Sequence, residues 1–399
     1  MAWQNIPSYA LVALVFVLML SILVAAHELG HYLFARLFRM GVEEFAIGFG
    51  KKPIWTWMRK TYKVEDDHHP GVEATETTDF TIRAWPLGGF VRIKGMVPEE
   101  DGSEVDIPGG FYNKSPFHRF VVLLAGPAFS VIAGILVLIP LYATVGIDRL
   151  DNTPIVPKMA ADGPAAKAGL LEGDRILAIN DKPVTTFYDV IVDVRDSAGK
   201  PLVMSVDRKG EKLEITAIPE WAPMDMQVRD RNLDPTGEWK RQALLGFSLP
   251  EPKLVKLPLG EAIGAAVNEP VRAVRGMVSL MTRPKNFERT VSGPATMVAF
   301  TSYALEKGVA TVLKLSALLS ISVGIFNLLP FAPLDGGQMV VAVIEMFRRG
   351  RRLSLQMQTA LSAVGMTLIA MLVLGAWFVD FKRWIVPEKQ EAPVPSKTK

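Results

Sequence analysis

Residues 10–26, ALVALVFVLMLSILVAA, run without a charge and lead directly into His27-Glu28-Leu29-Gly30-His31. The apolar character resumes in YLFARLF at 32–38. Together the stretch predicts one transmembrane helix of about 28 residues, long enough to cross a bilayer with some tilt. It does not read as a cleaved signal peptide, because the nine residues before it carry no positive charge and the apolar run is too long. On a helix, residues i and i+4 share a face, so both imidazoles reach toward one point. Two histidines so spaced around a glutamate form the HExxH pattern: two zinc ligands and a carboxylate that takes a proton from water. HExxH is short and occurs by chance in soluble helices. Here three ionisable groups sit within an apolar span, where charge is costly and marks function by default.

The composition fits a membrane body carrying a water-exposed part. Of 399 residues, 49% are hydrophobic and 21% charged. Net charge is +3 from 44 basic and 41 acidic residues, too balanced for a nucleic-acid surface. The absence of cysteine excludes disulfides, thiolate zinc sites, iron–sulfur ligation and a cysteine nucleophile. Further apolar runs predict a second span at 119–147, a third at 310–337 and a fourth at 356–381. The first span occupies 1–38, a membrane-associated β-hairpin region 39–118, and a soluble insert 152–220. Residues 221–309 read as a linker followed by amphipathic helices, and 382–399 as a polar tail.

Basic residues near the span ends set the orientation. The N-terminal decapeptide has none. The segment between spans one and two carries Arg36, Arg39, Lys51, Lys52, Arg59, Lys60, Lys114 and Arg119, and the loop between three and four carries Arg348, Arg349, Arg351 and Arg352. Both read as cytoplasmic, with the insert and both termini outside. Lys382 and Arg383 pull the other way and are outnumbered. Spans one and three then run in the same direction, and their C-terminal ends share a depth. There the third span carries Asn327-Leu-Leu-Pro330-Phe-Ala-Pro333-Leu-Asp335-Gly336-Gly337, in which Asp335 is the one acid of residues 307–344. Two readings compete for it: a third zinc ligand, which a catalytic site requires, or the cap of a helix opening at Gly336. The shared depth favours the ligand. Of the other histidines, His68 and His69 fall in a charged loop and His118 just precedes the second span.

HELGH in a first span and NLLPFAPLDGG in a third resemble the site-2 protease family of intramembrane zinc metalloproteases, nearest its bacterial RseP-like branch. Phe45-Ala-Ile-Gly48-Phe49-Gly50, the run Phe80 to Gly95, the run Phe111 to Pro127 and Ser292-Gly293-Pro294 are similar to further family segments, in the family's order. The resemblance implies His27, His31 and Asp335 as zinc ligands, Glu28 as general base, and Asn327 and Pro330 among the substrate contacts. Ser130 stands where the family usually has Asn, and Gln338 where a His often follows the Gly-Gly pair. The implied substrate is a single-span membrane protein, such as an anti-sigma factor, already cut outside by an upstream site-1 protease. Remnant signal peptides are a second class. The implied location is a bacterial inner membrane.

Within the insert, Pro164-Ala-Ala-Lys-Ala-Gly169-Leu170-Leu-Glu-Gly173-Asp174 looks like the signature of bacterial protease PDZ domains, with Gly169 and Leu170 at the peptide groove. Strands are expected at Arg175–Ile179, Leu202–Val206 and Ile215–Ile218, and a helix at Asp189–Asp196. Residues 80–95 alternate Phe80, Ile82, Ala84 and then Phe90, Val91, Ile93 around Pro86-Leu-Gly88-Gly89, which predicts a hairpin. Its edge, with Phe80, Ile82, Phe90, Val91, Arg92 and Ile93, is a candidate dock for a substrate backbone unwound from its helix. Trp55, Trp57 and Trp85 suit an interfacial position. The expected architecture is a polytopic α-helical membrane protein of about four spans with a membrane-associated β-hairpin and one α+β PDZ-like domain. The rival readings are a PDZ adaptor with structural zinc and a metal transporter. The latter predicts acids or histidines on several spans.

Overall fold

The computed structural model describes residues 6–65, 73–97, 103–282 and 293–385. His68, His69, Ser292 and the tail beyond Ile385 lie outside the described residues. The chain forms two compact units, one of Met1–Leu141, Ile263–Val274 and Arg283–Lys399, the other of Tyr142–Ala262 and Arg275–Thr282.

The first unit is built on helix α1 (Ile6–Leu37), a β ribbon of β1 (Val42–Glu65) and β2 (Glu73–Ile93), and helix α2 (Pro116–Thr144). Four helical stretches are long and apolar enough to cross a membrane: Tyr9–Leu37, Pro116–Thr144, Val309–Asn327 and Leu355–Lys382. Leu11, Leu14, Leu18 and Ile22 of α1 point outward with no protein cover. A helix apolar all round, left bare on that scale, needs lipid around it. The chain is a multi-pass membrane protein.

The ribbon departs from the hairpin expected at 80–95. Val42–Ile47 lies between its two arms. Glu44 to Ile47 pair with Asp79 to Ile82 on one side, in the same sense along both chains, and with Gly89 to Arg92 on the other. Residues 53–65 then pair with 73–83 on the far flank. Pro86-Leu87-Gly88-Gly89 does reverse the chain, but the arms it joins are separated by a strand from earlier in the sequence. Short-range alternation cannot report such an insertion, because the pairing is non-local. Gly89–Ile93 is thereby left as an edge. Trp55, Trp57 and Trp85 are exposed on the ribbon.

α1 and α2 cross closely. A side-chain carbon on Gly30 would run into the Ala125 carbonyl, and one on Gly126 would overlap the His31 imidazole. Tyr32, Phe45 and Phe80 form an edge-to-face aromatic cluster between α1 and the ribbon. It is continuous with Met40, Val42, Ile93, Phe111, Val122 and Leu123.

In the second unit β3 (Ile147–Leu150) pairs with β12 (Pro252–Val255), closing the unit at its two chain ends. Between them lie a short helix α3 (Pro164–Lys167) and strands β4 (Arg175–Ile179) and β5 (Lys182–Pro183). Helix α4 (Phe187–Arg195) and strands β6 (Leu202–Arg208) and β7 (Glu211–Ala217) follow. The antiparallel sheet has the order β5-β4-β6-β7. α4 starts on a capping box in which Thr186 and Asp189 satisfy each other's backbone N–H. Ile176, Ile179, Met204, Val206 and Leu170 form the core. Arg208 pairs with Asp174 at 2.7 Å and holds its carboxyl below the usual range.

Residues 221–258, expected as a linker, are ordered into this unit. β8 (Glu220–Trp221) pairs with β11 (Ala243–Leu244), and β9 (Met226–Arg229) with β10 (Pro235–Lys240). The unit therefore runs well past Glu220. Strands of two to six residues, mostly exposed, leave no hydrophobic period to detect.

Helix α5 (Leu259–Thr282) leads back, and α6 (Pro294–Lys307) precedes α7 (Val309–Asn327). The third span, expected over 310–337, ends at Asn327, and a separate helix α8 runs Asp335–Phe347. Pro330 and Pro333 cause the break, since neither offers an N–H and each pushes its predecessor toward extended backbone. Leu334, not Asp335, is the N-cap residue, and no side chain caps the turn. The last helix, α9 (Leu355–Ile385), carries Asp380, an acid the sequence reading passed over. Its carboxylate accepts from Gly293, Ala295 and Thr296 N–H and so caps α6.

Arg119 at the start of α2 and Glu345 near the end of α8 pair at 2.6 Å, with side chains 4% and 0% exposed. Arg119→Ala leaves Glu345 buried without a counter-charge and should cost about 3–5 kcal/mol, whereas Arg119→Met with Glu345→Met should recover most of it. Thermal unfolding in detergent measures both. A double variant as unstable as the single one would show that packing, not charge, holds this junction.

Candidate metal centre

Three side chains from two separated helices meet at one point. His27 and His31 project from the same face of α1, and Asp335 opens α8. Among the described residues they are the one group of three or more such side chains whose ligand atoms converge, all within 4.8 Å. His27 Nε2 lies 3.1 Å from Asp335 Oδ2, His31 Nε2 lies 3.4 Å from the same oxygen, and the two Nε2 atoms are 3.2 Å apart.

The far nitrogens of both rings are held. His31 Nδ1 donates to the Val122 carbonyl at 2.9 Å, and a carbonyl only accepts, so the neutral ring presents its Nε2 lone pair to the site. His27 Nδ1 meets the Ser130 hydroxyl at 3.0 Å. Ser130 is fixed in turn, its carbonyl accepting from Ser320 of α7 at 2.7 Å. Two imidazole nitrogens and a carboxylate oxygen this close need a proton or a cation between them. Such outer partners are what orient imidazoles for a metal. Two imidazoles and one carboxylate, with no thiolate anywhere in the chain, suit zinc with an open fourth position.

Glu28 sits one residue along α1. Its Oε2 accepts from Val91 N–H at 2.9 Å, so the candidate base lies against the edge strand Gly89–Ile93. Ser21 of α1 donates to the Pro86 carbonyl at 2.6 Å, which holds the reversal of β2 to the same helix.

The candidate substrate residues divide. Phe90 and Val91 are half-buried and Arg92 is exposed along the edge strand, with Ile82 half-buried on the inner arm. Phe80 and Ile93 are buried in the aromatic core, so their side chains support the sheet and cannot meet a substrate. Asn327 ends α7 and Pro330 is exposed in the break that follows. In the second unit Leu170 is a core residue, and the Gly169 carbonyl accepts from Arg208. Neither lines that unit's apolar pocket of about 100 Å³, which lies between α4 (Phe187, Val190, Val194) and residues 242–249.

Sequence reading missed the Val122 carbonyl and Val91 N–H, both backbone groups with no residue signature. It also left Ser130 without a role. Its place three residues past Gly126-Pro127, one turn along α2 from where Gly126 meets His31, was the available signal.

A model of peptidase family M50 matches residues 15–65 and 70–372. A predicted zinc metalloprotease of Clostridium acetobutylicum is 27% identical over 368 residues, covering 91% of this chain and 95% of that protein. Another, of Mesorhizobium japonicum, is 30% identical over 347 residues, covering 83% of this chain and 88% of that protein. One of Thermotoga maritima is 38% identical over 213 residues, 53% of this chain and 38% of that protein. The chain belongs to peptidase family M50, the site-2 protease family, and is a zinc-dependent metalloprotease.

Proposed function

We propose that this chain is an intramembrane zinc endopeptidase that cuts transmembrane segments of single-span membrane proteins, with His27, His31 and Asp335 as its zinc ligands and Glu28 as its general base. The observation that carries the reading is the hydrogen bond from Val91 N–H to Glu28. It sets an edge strand against the base, beside the three converging ligand atoms. A transmembrane helix hides its peptide bonds in i to i−4 hydrogen bonds and must unwind to be cut. An extended segment added to Gly89–Ile93 would regain backbone partners beside Glu28 and the residues that would hold the zinc.

Zinc held there supplies Lewis acidity and makes water a nucleophile near neutral pH. Ser130 and the Val122 carbonyl keep the two imidazoles turned inward. Glu28 accepts the proton of the attacking water and returns it to the leaving nitrogen. The substrate class is a single-span protein pre-trimmed outside by an upstream protease, with remnant signal peptides as the second class. The basic clusters at 36–60 and 348–352 support a reading in which those segments face the cytoplasm of a bacterial inner membrane, with the termini and the second unit outside.

The second unit reads as PDZ-like. Its four-stranded sheet, α4 and the 164–174 turn support this, and the pocket beside α4 is the better candidate for the peptide groove. We assign it a gating role. The adaptor reading with structural zinc has against it that the described residues offer three converging ligands where a closed site uses four.

Glu28→Gln should keep zinc and fold while turnover drops about 10²–10⁴-fold. Near-normal cleavage of a helical transmembrane peptide would remove Glu28 from the mechanism. Because β3 and β12 pair, Leu150 opposite Pro252, residues 151–251 can be excised and the two strands joined by a two-residue turn. That variant should still cut a pre-trimmed substrate and gain some cleavage of an untrimmed one. Loss of the trimmed reaction at normal zinc content would make the unit part of delivery, not a gate.

A further inference from the structure

The loop joining α8 to α9 is a braced cationic platform. Arg348 N–H donates to the Ile344 carbonyl at 3.0 Å and Gly350 N–H to the Glu345 carbonyl at 2.8 Å. The buried Glu345 carboxylate also accepts from Leu353 N–H at 3.0 Å. Arg349 and Gly350 take left-handed φ values of 57° and 83°, which turn the chain back sharply. Arg352 points inward, pairing with buried Glu104 and lying 4.0 Å from the centre of the Tyr112 ring. Phe347, Arg348, Arg349 and Arg351 are exposed, Phe347 to 86%. Among the described residues none of these three guanidiniums has a carboxylate within ion-pair distance.

The depth of this platform follows from its neighbours. Leu355 opens a membrane-crossing helix four residues after Arg351. The Arg119–Glu345 pair fixes the end of α8 level with the start of α2, where Phe117 is also exposed. The Phe38 ring stacks on His118 at 4.4 Å and brings the end of α1 to the same level. Three uncompensated guanidiniums and two bare aromatic rings thus stand where apolar helices leave the hydrocarbon, at the layer of lipid headgroups.

We propose that Phe347, Arg348, Arg349 and Arg351 bind the phosphodiester headgroup of an anionic lipid, of which phosphatidylglycerol is the simplest form. The planar guanidinium matches phosphate oxygens in pairs, and Phe347 sits among the headgroups beside them. Each basic residue at an anionic membrane surface strengthens attraction roughly fivefold. The bound lipid steadies α8 at its last residue, and the first residue of that helix is Asp335. The site thereby links the membrane's charge to the helix that carries the acidic member of the metal cluster. This rests on the chain spanning a bilayer and is independent of how cleavage proceeds.

The test uses the full-length zinc-loaded protein in phosphatidylcholine vesicles containing a small fraction of phosphatidylglycerol with a photo-crosslinker on its headgroup. Crosslinks should concentrate on the peptide spanning 344–355 and exceed those from the matching phosphatidylcholine probe. Changing Arg348, Arg349 and Arg351 together to Gln should lower that labelling roughly tenfold or more, at unchanged zinc content. Changing all three to Lys should keep only the charge-driven part of it, between the native chain and the Gln variant, and changing Lys200, Lys209 and Lys212 to Gln should leave it untouched. Equal labelling by the two lipids, or unchanged labelling of the Gln variant, would overturn the proposal. A rise in labelling on changing Glu99, Glu100 and Asp101 to their amides, from no enrichment in the native chain, would assign the arginines to those acids instead.

Discussion

Two imidazole nitrogens and a carboxylate oxygen converge at membrane depth, and most of the first unit's departures from ideal helices exist to bring them there. The groups come from elements some 300 residues apart in sequence, so no local interaction holds them. α1 must cross α2 at a distance that only Gly30 and Gly126 allow. The chain after Asn327 must leave the helix so that Asp335 can turn inward, which Pro330 and Pro333 enforce. Irregular backbone of that kind is tolerated in a bilayer only where it is buried in protein or lines a water-filled cavity. Arg119 and Glu345 then lock the far end of α8 to α2, so that the helix beginning with Asp335 is pinned at both ends.

Around that cluster the structure arranges three chemically different surfaces. Ser130 and the Val122 carbonyl grip the outer nitrogens of the histidines. The Gly89–Ile93 edge offers backbone groups beside Glu28. Lipid faces the outer side of α1. Under the proposed function, a substrate helix finds apolar surface, a strand edge and a metal-binding cluster side by side. That combination suits a peptide bond that has to lose its helical hydrogen bonds before it can be attacked.

Much of this was legible in the chain, and the rest was not, for identifiable reasons. The i, i+4 spacing of His27 and His31 is a property of one helix, and the four apolar runs are continuous, so both could be read locally. The break before Asp335 was visible in its prolines, and a helix opening at Gly336 was one of the two readings of that residue, although the third span was expected to run on to 337. The place of Val42–Ile47 between the arms of β2 was invisible, because it depends on pairing with segments 35 and more residues away. Phe80 and Ile93 are buried in the cluster that packs the ribbon against α1, with Val91 partly buried against it, and alternation alone does not say which face meets that helix. Residues 221–258 look like a linker because their strands are too short to carry a period. Val91 N–H and the Val122 carbonyl belong to the backbone and leave no trace in residue identity.

The proposed chemistry depends on one metal ion held by these three side chains. X-ray absorption at the zinc edge of the purified protein addresses it directly. The expected result is one zinc per chain with two imidazoles and oxygen donors at about 2.0–2.1 Å, and loss of that signal on Asp335→Ala. Full zinc occupancy in Asp335→Ala with an unchanged two-imidazole shell, or a native site lacking paired imidazoles, would contradict it.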